Sequence, residues 1–133
     1  MIEHGGTFLA KAQESVTGAR SELQEGRFNN SANRSYYAVF QAGIHALLLE
    51  DVRLPGGGTE WSHPFVDSQF TGLLINRRHR YETSLRSVIG DNRALREDAD
   101  YTTGSVSAVR ASRALQRAER FVGAVLQRHE EQS

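Results

Sequence analysis

Two short polar segments, each set in apolar surroundings, carry most of the chemistry that this chain could perform. The first is Asn33-Arg34-Ser35-Tyr36-Tyr37-Ala38-Val39-Phe40 and the second is Arg96-Glu97-Asp98-Ala99-Asp100-Tyr101. Burying Arg, Asn or Tyr in an apolar helix costs free energy unless the polar groups find partners. The two segments therefore form either a polar network that ties the core together or a functional site.

A guanidinium beside an aromatic ring suits the recognition of nucleotides. Arg96 could bind a phosphate, and Tyr101 could stack on a base or a ribose. Their position at the end of a helix favours exposure, and exposed side chains in such places are often functional. The residues expected at a nucleotide or RNA site are Asn33, Arg34, Tyr37, Arg96 and Tyr101.

The competing interpretation of the same residues is structural. Arg34 would pair with a carboxylate such as Asp100, and the tyrosine hydroxyls would bond to the backbone. Arg96 and Asp100 could likewise brace each other. The sequence leaves both interpretations open.

The composition excludes several classes of site. The chain has no cysteine, so disulfides, thiolate metal sites and a cysteine nucleophile are ruled out. No second His stands at ligand spacing from His63, and no phosphate loop or dinucleotide fingerprint occurs, so we expect neither a metal nor a cofactor. No long apolar run and no signal-peptide pattern is present, which predicts a cytoplasmic protein without a membrane span.

The charged residues balance, but the basic ones are almost all arginine. There are 16 basic and 16 acidic residues, and Lys11 is the single lysine. Two arginine-rich regions stand out, the run Arg77-Arg78-His79-Arg80 and a stripe along the last predicted helix. Either could contact phosphates, although a solvated helix face is the commoner meaning of such a stripe. The stripe consists of Arg110, Arg113, Arg117, Arg120 and Arg128.

Apolar residues recur with helical spacing almost throughout, and no strand-like alternation is sustained. The pattern predicts an all-α, antiparallel, up-and-down bundle of four to five helices. We expect one domain over residues 1–133, with its core at about 7–126 and a flexible glycine-rich loop at 50–61.

The helix boundaries are predicted from caps and breakers. The first helix should span residues 7–25 and the second should begin at a cap within 29–31 and be apolar nearly all round. Ser62 or His63 should open the third. A fourth segment at 82–96 should be broken or bent at 90–92, residues 99–104 should form a connection, and Ser105 should cap the last helix.

Several of these segments together resemble the HEPN domain, over residues 7–126. The similar elements are Gly26-Arg27-Phe28 after the first helix, the Asn33-Arg34-Ser35-Tyr36-Tyr37 segment on the second, Ser62-His63 before an apolar helix, the Arg96–Tyr101 element and a closing helix with Ala118-Glu119-Arg120-Phe121. The resemblance is strongest to small stand-alone bacterial and archaeal members.

The resemblance implies a helical bundle that dimerises and is often paired with a nucleotidyltransferase in toxin–antitoxin modules. Many members are metal-independent ribonucleases that carry an Arg-x(4–6)-His motif. No His in this chain follows an Arg at that spacing, and Arg96 is followed instead by Asp100 and Tyr101. In relatives paired with a nucleotidyltransferase a Tyr near this element receives nucleotides, and Tyr101 is the nearest match.

Three hypotheses follow. The first is a homodimeric nucleotide- or RNA-binding component of such a module without ribonuclease activity. The second is a ribonuclease with a variant site, in which Arg96 stabilises the phosphate and Asp100 or Tyr101 transfers a proton. The third is a structural or interaction bundle without a ligand.

Overall fold

Five α-helices make up most of the chain. The computed structural model describes residues 7–101 and 104–132, and of Tyr101 the backbone only. The helices are α1 (Phe8–Gln24), α2 (Phe28–Leu49), α3 (His63–Gln69), α4 (Val88–Tyr101) and α5 (Ala108–Glu131). A π-helical stretch, Phe70–Arg77, continues α3, and short 3₁₀ turns lie at Pro55–Gly57 and Thr83–Leu85. None of the described residues is in a strand, so the predicted all-α fold is confirmed.

Side-chain contacts between α1 and α2 show that the two helices run antiparallel. The Ser31 hydroxyl, near the start of α2, donates to the carbonyl of Ala19 late in α1 at 2.8 Å. Further along α2, the Gln41 amide lies 2.7 Å from the hydroxyl of Ser15, earlier in α1. Small buried residues at this contact allow the two helices to approach closely.

Asn92 joins three helices through one buried amide. Its Nδ2 donates to the carbonyl of Ala114 on α5 at 3.1 Å and lies 3.5 Å from the carbonyl of Ser35 on α2. Its Oδ1 accepts from Nε of Arg117 at 2.8 Å. The residue is fully buried, and its amide is satisfied because all three neighbours are polar groups on packed helices.

The core is centred on α2, which packs against α1, α4 and α5. Gly43 marks the closest approach to α3, since a Cβ there would lie 3.0 Å from Cγ1 of Val66. Within the two described ranges, no helix has the length and apolar character that crossing a bilayer demands. The largest fully buried side chains include Tyr36, Phe70, Phe121, Leu9 and Ile44.

Two predicted boundaries are wrong in the second half of the chain. The break expected at 90–92 is absent, because α4 begins at Val88 and continues through Gly90 to Tyr101. Residues 99–101 are therefore helical rather than part of a connection, and 102–103 lie outside the described residues. The chain turns earlier than predicted, in the 3₁₀ turn at Thr83–Leu85.

The caps of α2 and α5 also differ from the prediction. Asn29 is inside α2, which has no side-chain cap, and its Oδ1 accepts from the backbone N–H of Val106 at 2.8 Å. Val106 is buried, and residues 105–107 lie outside any helix. Ser107 caps α5 instead, accepting from the N–H of Arg110. The predicted cap of α3 at Ser62 is confirmed.

We expect Asn92→Ala to lower the free energy of unfolding by about 2–3 kcal/mol, because it removes the hydrogen bonds to two helices and leaves the Arg117 Nε without its acceptor. Urea denaturation followed by circular dichroism measures the change. Asn76→Ala is the matched control: Asn76 is exposed and bonded to Arg86, so its loss should stay within about 0.5 kcal/mol. Equal effects of the two substitutions would contradict the role given to Asn92.

Candidate nucleotide or RNA site

The antiparallel packing of α2 and α4 brings the two polar segments of the sequence together. Asn33 on α2 faces Asp100 on α4, with 3.5 Å between Nδ2 and Oδ1. One turn further along α2, Tyr36 and Tyr37 face Arg96. The start of α3 completes the group with His63. We call these side chains, with Arg93 and Glu97 beside them, the Arg96 cluster.

Arg96 is positioned by aromatic rings. Its guanidinium carbon lies 5.5 Å from the ring centre of Tyr36 and 5.2 Å from that of Tyr37. Both distances are within the range of attractive cation–π contacts. The Arg96 side chain is 25% exposed, so the guanidinium is held in place and still reaches solvent.

The ion pair of Arg96 with Asp100 is loose. Nε of Arg96 lies 3.5 Å from Oδ2 of Asp100, one turn further along α4. That nitrogen is buried and makes no hydrogen bond within the described part of the chain, so the carboxylate supplies charge compensation without a formed hydrogen bond. Arg96 and Asp100 thus brace each other only weakly, and the guanidinium is available for a stronger acceptor.

Tyr36 and His63 form the inner part of the cluster. Tyr36 is fully buried, and its hydroxyl is hydrogen-bonded to Nδ1 of His63. The imidazole also packs on the ring of Phe40, with 4.6 Å between ring centres. A buried tyrosine hydroxyl needs such a partner, and this contact fixes the orientation of the imidazole.

Burial lowers the pKa of His63 below its ordinary value of 6.5, and the nearby cations Arg93 and Arg96 lower it further, while Glu97 opposes them. The imidazole is therefore neutral near pH 7. A neutral imidazole next to a guanidinium can accept or relay a proton.

Two predicted site residues on α2 are exposed, although the sequence predicts a buried helix that is apolar nearly all round. Arg34 is exposed, and it makes no ion pair with Asp100. Its side chain lies across α1 at Gly18, where a Cβ would come within 2.9 Å of the Arg34 Cδ. Tyr37 is also exposed, at 37%. The predicted Arg34–Asp100 pair is thus wrong, and Asn33 takes that place.

His63 is the residue that the sequence interpretation missed. The sequence indicates for it a helix start before Pro64, a part in the resemblance and a weak claim as a metal ligand, but no place in the nucleotide site, because the residues with which it interacts are far away in the chain. Tyr101 closes α4 through its backbone, and its side chain lies outside the described residues. Among those described, no three His, Cys, Asp or Glu side chains are grouped as a metal site would require.

A family model matches residues 7–129 and describes a HEPN domain. This chain belongs to the HEPN domain family. The match covers nearly the whole chain, and the helical bundle agrees with it. A search among curated proteins finds no match. At the level of the family, membership places the chain among nucleotide- or RNA-binding or ribonuclease-like modules.

We expect an NMR titration of the His63 ring to give a pKa below 6.5, and Arg93→Gln to raise it part of the way back. Arg93 is partly exposed and pairs with Glu97, also on α4, so the substitution removes a cation without disturbing the core. The substitution leaves His63 buried, so its pKa should stay below the ordinary value.

The same shift has a consequence for stability. The unfolded chain binds the His63 proton more tightly than the folded chain. The neutral imidazole therefore contributes to the free energy of unfolding above about pH 6.5, and this stabilisation is lost as the pH falls through the pKa of His63 in the folded chain. Arg113→Gln, an exposed arginine on α5 outside the cluster, is the control and should leave the titration unchanged. A His63 pKa at or above 6.5 in the parent protein would contradict the described burial.

Proposed function

We propose that this HEPN domain is the nucleotide- or RNA-binding component of a homodimer, in a toxin–antitoxin-like module or paired with a nucleotidyltransferase, and that it works in the cytoplasm without ribonuclease activity. The observation that carries the proposal is the Arg96 guanidinium, a quarter exposed and held over two tyrosine rings with its Nε unpartnered among the described residues.

The cluster combines the two contacts that single-stranded nucleic acids use. A phosphate can replace the weak Asp100 contact at Arg96 with a charge-assisted hydrogen bond. The exposed ring of Tyr37 offers a surface on which a base can stack. Asn33, next to Asp100, adds an amide that can bond to a ribose or a base edge.

The absence of ribonuclease activity is inferred from the sequence pattern and from charge. The Arg-x(4–6)-His motif is missing, and Asp100 and Glu97 add negative charge beside Arg96, which opposes the stabilisation of a phosphodiester transition state. One observation favours the variant-site ribonuclease as the second candidate. Neutral His63 lies in the same cluster as Arg96, and an imidazole can transfer a proton near pH 7.

We expect Arg96→Ala to weaken binding of AMP and of a fluorescein-labelled single-stranded RNA by about tenfold or more, because a charge-assisted hydrogen bond to phosphate is lost. Fluorescence anisotropy measures the RNA, and isothermal calorimetry the nucleotide. Arg53→Gln is the matched control, since Arg53 is well exposed and paired with Asp51 outside the cluster.

Equal binding by the parent protein, Arg96→Ala and Arg53→Gln would refute a site at Arg96. The same samples distinguish the second candidate. RNA cleavage that persists through purification and disappears in both Arg96→Ala and His63→Gln would establish the variant-site ribonuclease and overturn the non-catalytic proposal.

Pairing with a nucleotidyltransferase predicts a covalent change. After co-expression with a cognate nucleotidyltransferase, intact-mass spectrometry should find added nucleotide mass on Tyr101, and native spectra should show a dimer. Tyr101→Phe removes the acceptor hydroxyl and should abolish the added mass. An unmodified monomer under the same conditions would count against both the pairing and the homodimer.

A further inference from the structure

One arginine of the run at 77–80 and two arginines of the α5 stripe line one cavity. Arg80, from the run at 77–80, lies opposite Arg120, in the middle of α5, and Arg128, in its last turn, around a cavity of about 360 Å³. None of the residues that line it belongs to the Arg96 cluster. The packing of the 80–85 segment against α5 brings together cations that are far apart in the chain.

Glu50 forms ion pairs with two of these arginines, Arg80 and Arg128. Its side chain is 6% exposed, and Oε1 accepts from Nε of Arg80 at 3.1 Å while Oε2 lies 3.5 Å from Nε of Arg128. Burial alone would raise the pKa of Glu50, but the hydrogen bond and charge of Arg80 and the charge of Arg128 lower it overall. The carboxylate therefore stays ionised and orients both guanidiniums through their Nε ends.

Several donors at the cavity have no acceptor within the described ranges. Tyr81 is only 9% exposed, and its hydroxyl makes no hydrogen bond. Burial raises the pKa of this hydroxyl, so it is a protonated donor. Nε of Arg128 is buried and lies near Glu50 without forming a hydrogen bond. Arg120 is exposed, and its guanidinium forms no ion pair with the described residues. Buried donors without partners destabilise the free protein unless something else satisfies them.

The charges that face the cavity favour an anion. Three guanidiniums line it, against the carboxylates of Glu82 and Glu131. The charge of Glu50 is already shared among Arg78, Arg80 and Arg128. An occupant with several negatively charged acceptor oxygens would match Arg120 and the outer nitrogens of Arg80 and Arg128.

We propose that the cavity between the 80–85 segment and the C-terminal half of α5 is a second anion site, which binds a phosphate group. The planar donors of Arg80, Arg120 and Arg128 surround the phosphate, and Tyr81 supplies a neutral donor at its base. The phosphate can come from a free nucleotide or from the backbone of an RNA. The site does not depend on binding at the Arg96 cluster.

The test is an NMR titration of the arginine Nε–Hε resonances with inorganic phosphate. The Arg120 and Arg128 signals should shift and saturate together. The Arg96 signal should either saturate at a different phosphate concentration or not shift. Arg120→Gln should raise the dissociation constant by about tenfold. Arg113→Gln removes the same charge from an exposed position on α5 outside this cavity and should leave the constant within about twofold.

Tyr81→Phe tests the buried donor separately. If its hydroxyl serves the ligand, the variant should bind phosphate more weakly and melt at the same temperature as the parent protein or slightly higher, because an unpartnered hydroxyl is removed. A lower melting temperature with unchanged phosphate binding would assign the hydroxyl to the fold and overturn its place in the site.

Titrations with AMP and with a single-stranded RNA identify the source of the phosphate. AMP that saturates the same resonances as tightly as the RNA indicates a mononucleotide, and much tighter RNA binding that Arg120→Gln weakens indicates a backbone phosphate. Either result supports the site. Two results would overturn the proposal: shifts that fail to saturate at millimolar phosphate, or an equal loss of phosphate affinity in Arg113→Gln and Arg120→Gln. Either would show that phosphate is attracted only by the general charge of the surface.

Discussion

The burial of α2 among α1, α4 and α5 is the constraint on which the other features depend, because polar groups on its buried faces are stabilised by partners on neighbouring helices. Ser31 bonds to α1, and the carbonyl of Ser35 lies near the amide of Asn92 on α4. Tyr36 bonds to His63 at the start of α3. These contacts set the positions of the surrounding helices, and the Arg96 cluster is the point at which α2, α3 and α4 meet.

The acidic and basic residues are equal in number, and many of them form ion pairs with each other. Arg20 pairs with Glu119, and Arg110 pairs with Asp98. Glu50 neutralises part of the charge beside the cavity at α5. The Arg96 guanidinium is held only loosely, with 3.5 Å between its Nε and Oδ2 of Asp100. The exposed pairs Arg20–Glu119 and Arg110–Asp98 contribute little stability each, so their main effect is to determine which cations are available for a ligand.

Much of the fold could be predicted because it is local. The period of the apolar residues identified the helices, and Ser62 before Pro64 correctly gave the start of α3. The errors occurred where a contact from elsewhere decided the outcome. Gly90 weakens a helix by its own propensity, but packing of α4 on α2 keeps the helix continuous. Asn29 has the side chain of a cap, but the backbone N–H of Val106 binds it instead.

The sequence by itself determined the all-α class, the family and the two polar segments with Arg96 and Asp100, since these depend on side-chain types and on spacing within one helix. Tertiary structure alone decided which polar side chains meet. It put Arg34 across α1, paired Asn33 with Asp100, brought His63 to Tyr36, and joined Arg80 to Arg120 and Arg128 around one cavity. The reason is physical: helical period and capping act over a few residues, whereas a meeting of side chains on different helices depends on how those helices are oriented when they pack.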